Sequence, residues 1–107
     1  MSQTFQRVTE LVGRRDVYVS EHGYDELSND QIAVGEVIKG VKEAQIVEDY
    51  PTYHKGPAVL VLQHDSRGRP IHVVWGIATN TDSPAVLVTA YRPDPDHWSE
   101  DFLRRKQ

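Results

Sequence analysis

Apolar side chains recur at helical spacing in two stretches of the first half of the chain. The first stretch is followed by Gly13 and predicts a helix within residues 1–15. The second comes after Ser28, which opens a capping-box pattern and predicts the start of a helix close to it. A shorter helix over residues 21–27 is predicted between them, because Ser20 is a suitable N-cap. The apolar positions are Phe5, Val8, Leu11 and Val12 in the first stretch, and Val34, Val37, Ile38 and Val41 in the second.

From residue 44 onward the apolar positions alternate with polar ones or form short continuous runs separated by turn residues. This pattern predicts strands. Short connections join only antiparallel neighbours, so we expect a mostly antiparallel sheet of four to five strands. Both faces of the later strands are partly apolar, and helices are therefore expected on much of each face. The predicted strands are Val17–Val19, Ala44–Tyr50, Ala58–His64, Ile71–Ala78 and Ala85–Tyr91.

The last part of the chain predicts a C-terminal helix. Asp94 provides an acidic cap and Pro95 suits the first turn. Trp98 and Phe102 lie four residues apart, on the side expected to dock on the sheet. The order of elements predicts a single α+β domain over residues 1–107, in which N-terminal helices and a C-terminal helix pack on the sheet.

The amino-acid composition excludes several kinds of functional site. The chain has no cysteine, which excludes disulfides, cysteine-based zinc sites and thiol nucleophiles. Its five histidines are scattered without the spacing of zinc ligands, so neither a metal nor a cofactor is predicted. The sequence contains no signal-like start and no apolar run long enough to cross a bilayer, which predicts a cytoplasmic protein without a membrane partner.

The charge is unevenly distributed along the chain. The net charge is −4, yet residues 16–50 alone contain nine acidic and two basic side chains. An anionic partner is therefore expected to avoid this middle segment and to approach the later strands or the tail. A solvated acidic helix face explains the same distribution without any partner.

Four segments in a fixed order carry a family resemblance. They are Val17–His22, Ile46–Pro51, Gly68–Val74 and Val88–Pro95, the last followed by Trp98. Together they resemble domain-of-unknown-function family 4258, small bacterial proteins grouped with the RelE/ParE toxin superfamily, over residues 16–106. The resemblance implies a RelE-like fold. RelE-type members cleave RNA and are held inactive by an antitoxin, whereas ParE-type members act on DNA gyrase. The resemblance therefore implies a toxin-like protein with RNA and an antitoxin as partners.

Metal-independent RNA cleavage needs a general base, a general acid and cations for the phosphate charge. The resemblance singles out His22, His72 and Tyr91 as candidate catalytic residues. In a RelE-like fold, His22 on its short helix and His72 on its strand are expected to face one another across the sheet. A guanidinium matches the oxygens of phosphate. The candidate phosphate-binding residues are Arg92, Arg104 and Arg105.

Each candidate also has a structural interpretation. His22 suits a hydrogen bond that fixes its helix, and Tyr91 suits a packing position at the rim. His72 lies in an apolar strand, where a hydrogen-bonded core histidine is common. The overall acidity also contrasts with basic ribosome-directed toxins. The alternative hypothesis is therefore a non-catalytic protein-interaction module that keeps the RelE-like fold and accepts a partner at an exposed strand edge.

Overall fold

The computed structural model describes residues 2–106, so Met1 of the predicted N-terminal helix lies outside the described residues. None of the helices in this part of the chain is both long enough and apolar enough to cross a bilayer. The helices are α1 (Gln3–Gly13), α2 (Glu21–Asn29) and α3 (Val34–Gly40), and the strands are β1 (Val17–Val19), β2 (Gln45–Tyr50), β3 (Ala58–His64), β4 (Pro70–Gly76) and β5 (Ala85–Tyr91).

The five strands form one open mixed sheet in the order β1-β5-β4-β3-β2. The pairs β2–β3, β3–β4 and β4–β5 are antiparallel, as their short connections require. Strand β1 pairs parallel with β5, because α2, α3 and the first three later strands intervene before the chain returns beside it. The predicted α+β class, with a mostly antiparallel sheet, is confirmed.

The main core lies between the helices and one face of the sheet, which we call the inner face. Alternate residues of β4, including Val73 and Trp75, are fully buried there against Val8 of α1. The indole Nε1 of Trp75 donates to the side-chain oxygen of Gln63 at 3.1 Å, and the Gln63 amide donates to the backbone carbonyl of Val37 at 2.8 Å. This buried relay joins β4 and β3 to α3.

The boundary between α2 and α3 differs from the predicted one. Helix α2 continues through Asn29, so Ser28 lies inside it and does not cap the next helix. The chain then turns at Gln31, which has a left-handed φ of 56°, and α3 begins only at Val34. The N-cap at Ser20 is confirmed, because its hydroxyl oxygen accepts a hydrogen bond from a backbone N–H of the first turn.

The predicted C-terminal helix is wrong. Residues 94–106, which we call the strap, contain turns and an isolated antiparallel bridge between Trp98 and Arg105. Side chains of Asp94 and Asp101 accept hydrogen bonds from backbone N–H groups two residues ahead, a local pairing that competes with helix formation. Phe102 has a left-handed φ of 61°, which a helix does not tolerate.

The other face of the sheet, the outer face, is consequently covered in part by irregular chain and not by a helix. The expectation that helices cover much of both faces is therefore wrong. Strand register places outward-facing residues in rows that run across the sheet. The row furthest from the strap, the open row, is Tyr18, Val86, Gly76, Ala58 and Tyr50, and the row beneath the strap, the covered row, is Tyr91, His72, Leu62 and Gln45.

Candidate functional site

His72 is fully buried in the covered row, with both ring nitrogens engaged. Its Nε2 lies 2.8 Å from the carbonyl oxygen of Phe102 in the strap, and its Nδ1 lies 3.3 Å from the hydroxyl of Tyr91. Since a carbonyl only accepts, Nε2 carries the proton and Nδ1 accepts from the hydroxyl. The imidazole thus fastens the strap to β4.

Aromatic packing shields the ring of His72 from solvent. The Trp98 ring meets it edge-on, with 4.4 Å between ring centroids, and Trp98 is itself buried. Burial lowers the pKa of His72, and the nearby positive charge of Arg105 lowers it further. Burial also raises the pKa of Tyr91. Both side chains are therefore neutral at neutral pH.

His22 lies elsewhere, on α2. Its side chain is 66% exposed, and its Nε2 is 3.9 Å from a carboxylate oxygen of Glu26 one turn ahead. No hydrogen bond, ion pair or ring contact joins His22 to His72 among residues 2–106. The structure thus brings His72 and Tyr91 together and does not bring His22 to them.

Arg92 is part of a buried ion pair. Its guanidinium lies 2.9 Å from Asp65, whose side chain is 1% exposed, and also donates to the backbone carbonyl of Pro70. Asp65 accepts two further hydrogen bonds from the backbone N–H groups of Arg67 and Arg69, each at 2.9 Å. These contacts tie the β3–β4 hairpin to the end of β5. They also engage the guanidinium of Arg92, which was predicted to bind phosphate.

Replacing Asp65 with asparagine is expected to lower the midpoint of thermal unfolding by several degrees, because four donors lose a charged acceptor. Backbone hydrogen bonds and the Arg92 and Arg69 guanidinium groups hold the pKa of Asp65 at about 2, below its ordinary value of 3.8. The depressed pKa means that the carboxylate stabilises the fold above its ordinary pKa and that this contribution disappears as pH falls through about 2.

Thermal unfolding followed by circular dichroism between neutral pH and pH about 2 tests this prediction. The Asp65→Asn variant should lose less stability than the wild type on acidification. Asp82→Asn, in the exposed β4–β5 loop, is the control and should follow the wild type. An Asp65→Asn curve that parallels the wild type at every pH would contradict the assignment.

Arg105 forms the second anchor of the strap. Its Nε and Nη2 lie 3.0 and 2.9 Å from the two carboxylate oxygens of Glu48 on β2, and its guanidinium sits 4.7 Å from the centroid of the Trp98 ring. The hydroxyl of Tyr50 donates to the same carboxylate. Pairing with Arg105 lowers the pKa of Glu48.

The sequence reasoning missed Glu48 and Tyr50, although a signal for them was present. The two residues alternate along β2, which puts their side chains on one face of the sheet. Among the predicted arginines, Arg104 is exposed, and its guanidinium makes no hydrogen bond or ion pair with the described part of the chain.

An apolar groove of about 430 Å³ opens on the outer face around the open row. It is in the size range of binding sites, and its lining of aliphatic and aromatic groups is typical of them. Val88 and Tyr53 are 37% and 49% exposed, so the groove presents apolar surface to solvent. Its floor contains Ala58, Val74 and Gly76, one wall contains Val86 and Val88, and the opposite wall contains Tyr50 and Tyr53, with Lys55 at the mouth.

Comparison with known proteins identifies a family. Residues 19–92 match the family described as Domain of unknown function (DUF4258). No curated protein and no solved structure matches the chain.

Proposed function

The chain belongs to the DUF4258 family, and from that premise we propose that it is a protein-interaction module with a RelE-like fold, whose partner is the antitoxin-type protein of a toxin–antitoxin pair. The observation that supports this function is the apolar groove. The strap covers one part of the outer face, whereas the open row leaves Tyr18 58% exposed and Tyr50 36% exposed. Contiguous exposed apolar surface of this kind marks sites of protein interaction.

Binding is favoured over acid–base catalysis by the state of the histidines. A general base must come within hydrogen-bonding reach of the proton that it removes. His72 is 0% exposed and already uses both nitrogens within the fold. His22 is exposed but has no second acid–base group from the candidate set beside it. The groove, in contrast, is accessible without any rearrangement.

The Val88→Glu substitution is expected to weaken the complex with a partner encoded in an adjacent reading frame by at least about tenfold, because binding would desolvate an unpaired carboxylate. Isothermal titration calorimetry of the purified proteins measures the effect. Tyr24→Glu is the matched control, since Tyr24 is also exposed but lies on α2 and does not line the groove. Equal affinities for wild type and Val88→Glu would contradict binding at this surface.

A metal-independent RNA endonuclease is the second candidate function. It is favoured by one observation: His72 and Tyr91 contact each other beneath the strap and lie near Arg105 of the strap, so three of the six predicted site residues are close together. Catalysis there requires the strap to lift from β4. Expression of the chain alone, with measurement of growth and of RNA integrity, separates the two functions. Intact transcripts and normal growth count against the nuclease and leave the binding function in place.

A further inference from the structure

The shape and charge of the groove narrow the kind of partner that it accepts. We propose that the groove binds a short amphipathic helix of the partner protein, which lies along β3 and β4 and places an acidic side chain opposite Lys55. This inference rests on the proposed function and specifies the segment that is bound. Width, length and charge each support it.

The side chains of the open row are small in the middle of the row and larger on either side. Gly76 and Ala58 form the floor, and Val86 and Tyr50 rise on either side of them. The walls stand on β5 and β2, three strand spacings or about 14 Å apart. The backbone of a helix is about 5 Å across, so one face of a helix can insert its side chains between the two walls. A side chain at Gly76 would narrow this channel, since a Cβ there would lie 3.5 Å from a methyl carbon of Val88.

The same profile argues against a second copy of this chain as the occupant. If two such faces met, the tyrosines at the sides of one would contact the raised sides of the other. The low centres, at Gly76 and Ala58, would then face each other across an empty space. Interiors and interfaces are closely packed, so a convex occupant is favoured over a concave one.

The groove extends along β4 and beyond the end of that strand. Its lining continues from Val74 past Gly76 to Ala78 and includes the exposed Lys55. From Val74 to Ala78 a strand extends about 14 Å, which two to three turns of helix match.

Lys55 gives the groove its charge preference. It is the charged residue among the described residues that line the groove, and its ammonium group makes no ion pair or hydrogen bond with them. At the strap, the charges of Arg105 and Glu48 neutralise each other. An apolar helix with an acidic residue at its edge therefore complements the groove, because opposite charges select the partner and its orientation.

Synthetic peptides of about 12 residues, long enough for the groove, test this inference by titration into the isotopically labelled full chain. The first peptide is stapled as a helix, with leucines on one face and a glutamate at its edge. The second replaces that glutamate with lysine, and the third keeps the composition of the first but contains a central proline. We expect the first peptide to shift the amide resonances of Gly76 and Val88. Its affinity should exceed that of the lysine peptide by about threefold to fivefold.

Two substitutions make the result specific. Lys55→Glu should reverse the preference between the two stapled peptides, whereas Lys42→Glu, an exposed lysine in the turn after α3, should leave it unchanged. Equal binding by the proline peptide would show that an extended segment is accepted and would overturn the helix. An unchanged preference in Lys55→Glu would overturn the role of Lys55. If the partner binds and Val88→Glu blocks it while every peptide fails, the proposed function stands and this inference falls.

Discussion

Replacing Trp75 with alanine is expected to lower the free energy of unfolding by about 4 kcal/mol, the largest effect of any single substitution considered for this chain. The indole is fully buried between the sheet and the helices. Its loss leaves a cavity that the surrounding valines and leucines fill only in part. It also removes the donor that satisfies the side-chain oxygen of Gln63. Urea unfolding followed by circular dichroism measures the change.

Trp75→Phe separates packing from hydrogen bonding. Phenylalanine retains most of the apolar contacts but leaves the buried Gln63 oxygen without its donor, which costs about 1–3 kcal/mol. Adding Gln63→Leu to Trp75→Phe removes the unpaired oxygen, although it also deprives the Val37 carbonyl of its donor. The control is Tyr18→Ala, an exposed position where we expect a change within about 0.5 kcal/mol. A Trp75→Ala variant as stable as this control would refute the proposed core.

The strands of the sheet can be predicted well from the sequence because each is marked by a local run of apolar residues between turn residues. Strands β3 and β5 have their predicted bounds, Ala58–His64 and Ala85–Tyr91, since apolar runs and turn residues delimit them. The start of α3 is mispredicted because Gln31 adopts a left-handed conformation that local propensity does not favour in a non-glycine residue. Spacing alone cannot detect such a turn.

The candidate site is less predictable because it depends on contacts distant in sequence. The spacing of Trp98 and Phe102 suits a helix, but side-chain capping by Asp94 and Asp101 produces turns. Only the resulting strap places a carbonyl against His72. Likewise, Arg92 is paired with Asp65, 27 residues before it in the chain, and nothing in the local sequence of either residue indicates the pair.

Replacing His72 with alanine is expected to release the strap from β4 and to lower the free energy of unfolding by about 2–4 kcal/mol. The substitution removes both hydrogen bonds of the ring and leaves a cavity beneath Trp98. Hydrogen exchange of the backbone amides should show lost protection at Ser99 and Phe102, whose N–H groups are bonded within the strap. His22→Ala is the matched control and should leave exchange in the strap unchanged, because that ring is exposed.

The stability of the fold is expected to depend on pH through the buried ring of His72. Burial lowers its pKa below the ordinary value of 6.5, so the unfolded chain binds a proton at a pH where the folded chain does not. The stabilising contribution of the neutral ring is therefore complete above pH 6.5 and is lost as pH falls through the folded pKa. His72→Gln should lose less stability than the wild type over this range, whereas His22→Gln should follow the wild type. If His72→Gln instead shows the wild-type dependence, and the strap remains protected in His72→Ala, the imidazole does not hold the strap. The strap would then be held by its other contacts, such as the Arg105–Glu48 ion pair, and the covered row would stay closed to solvent.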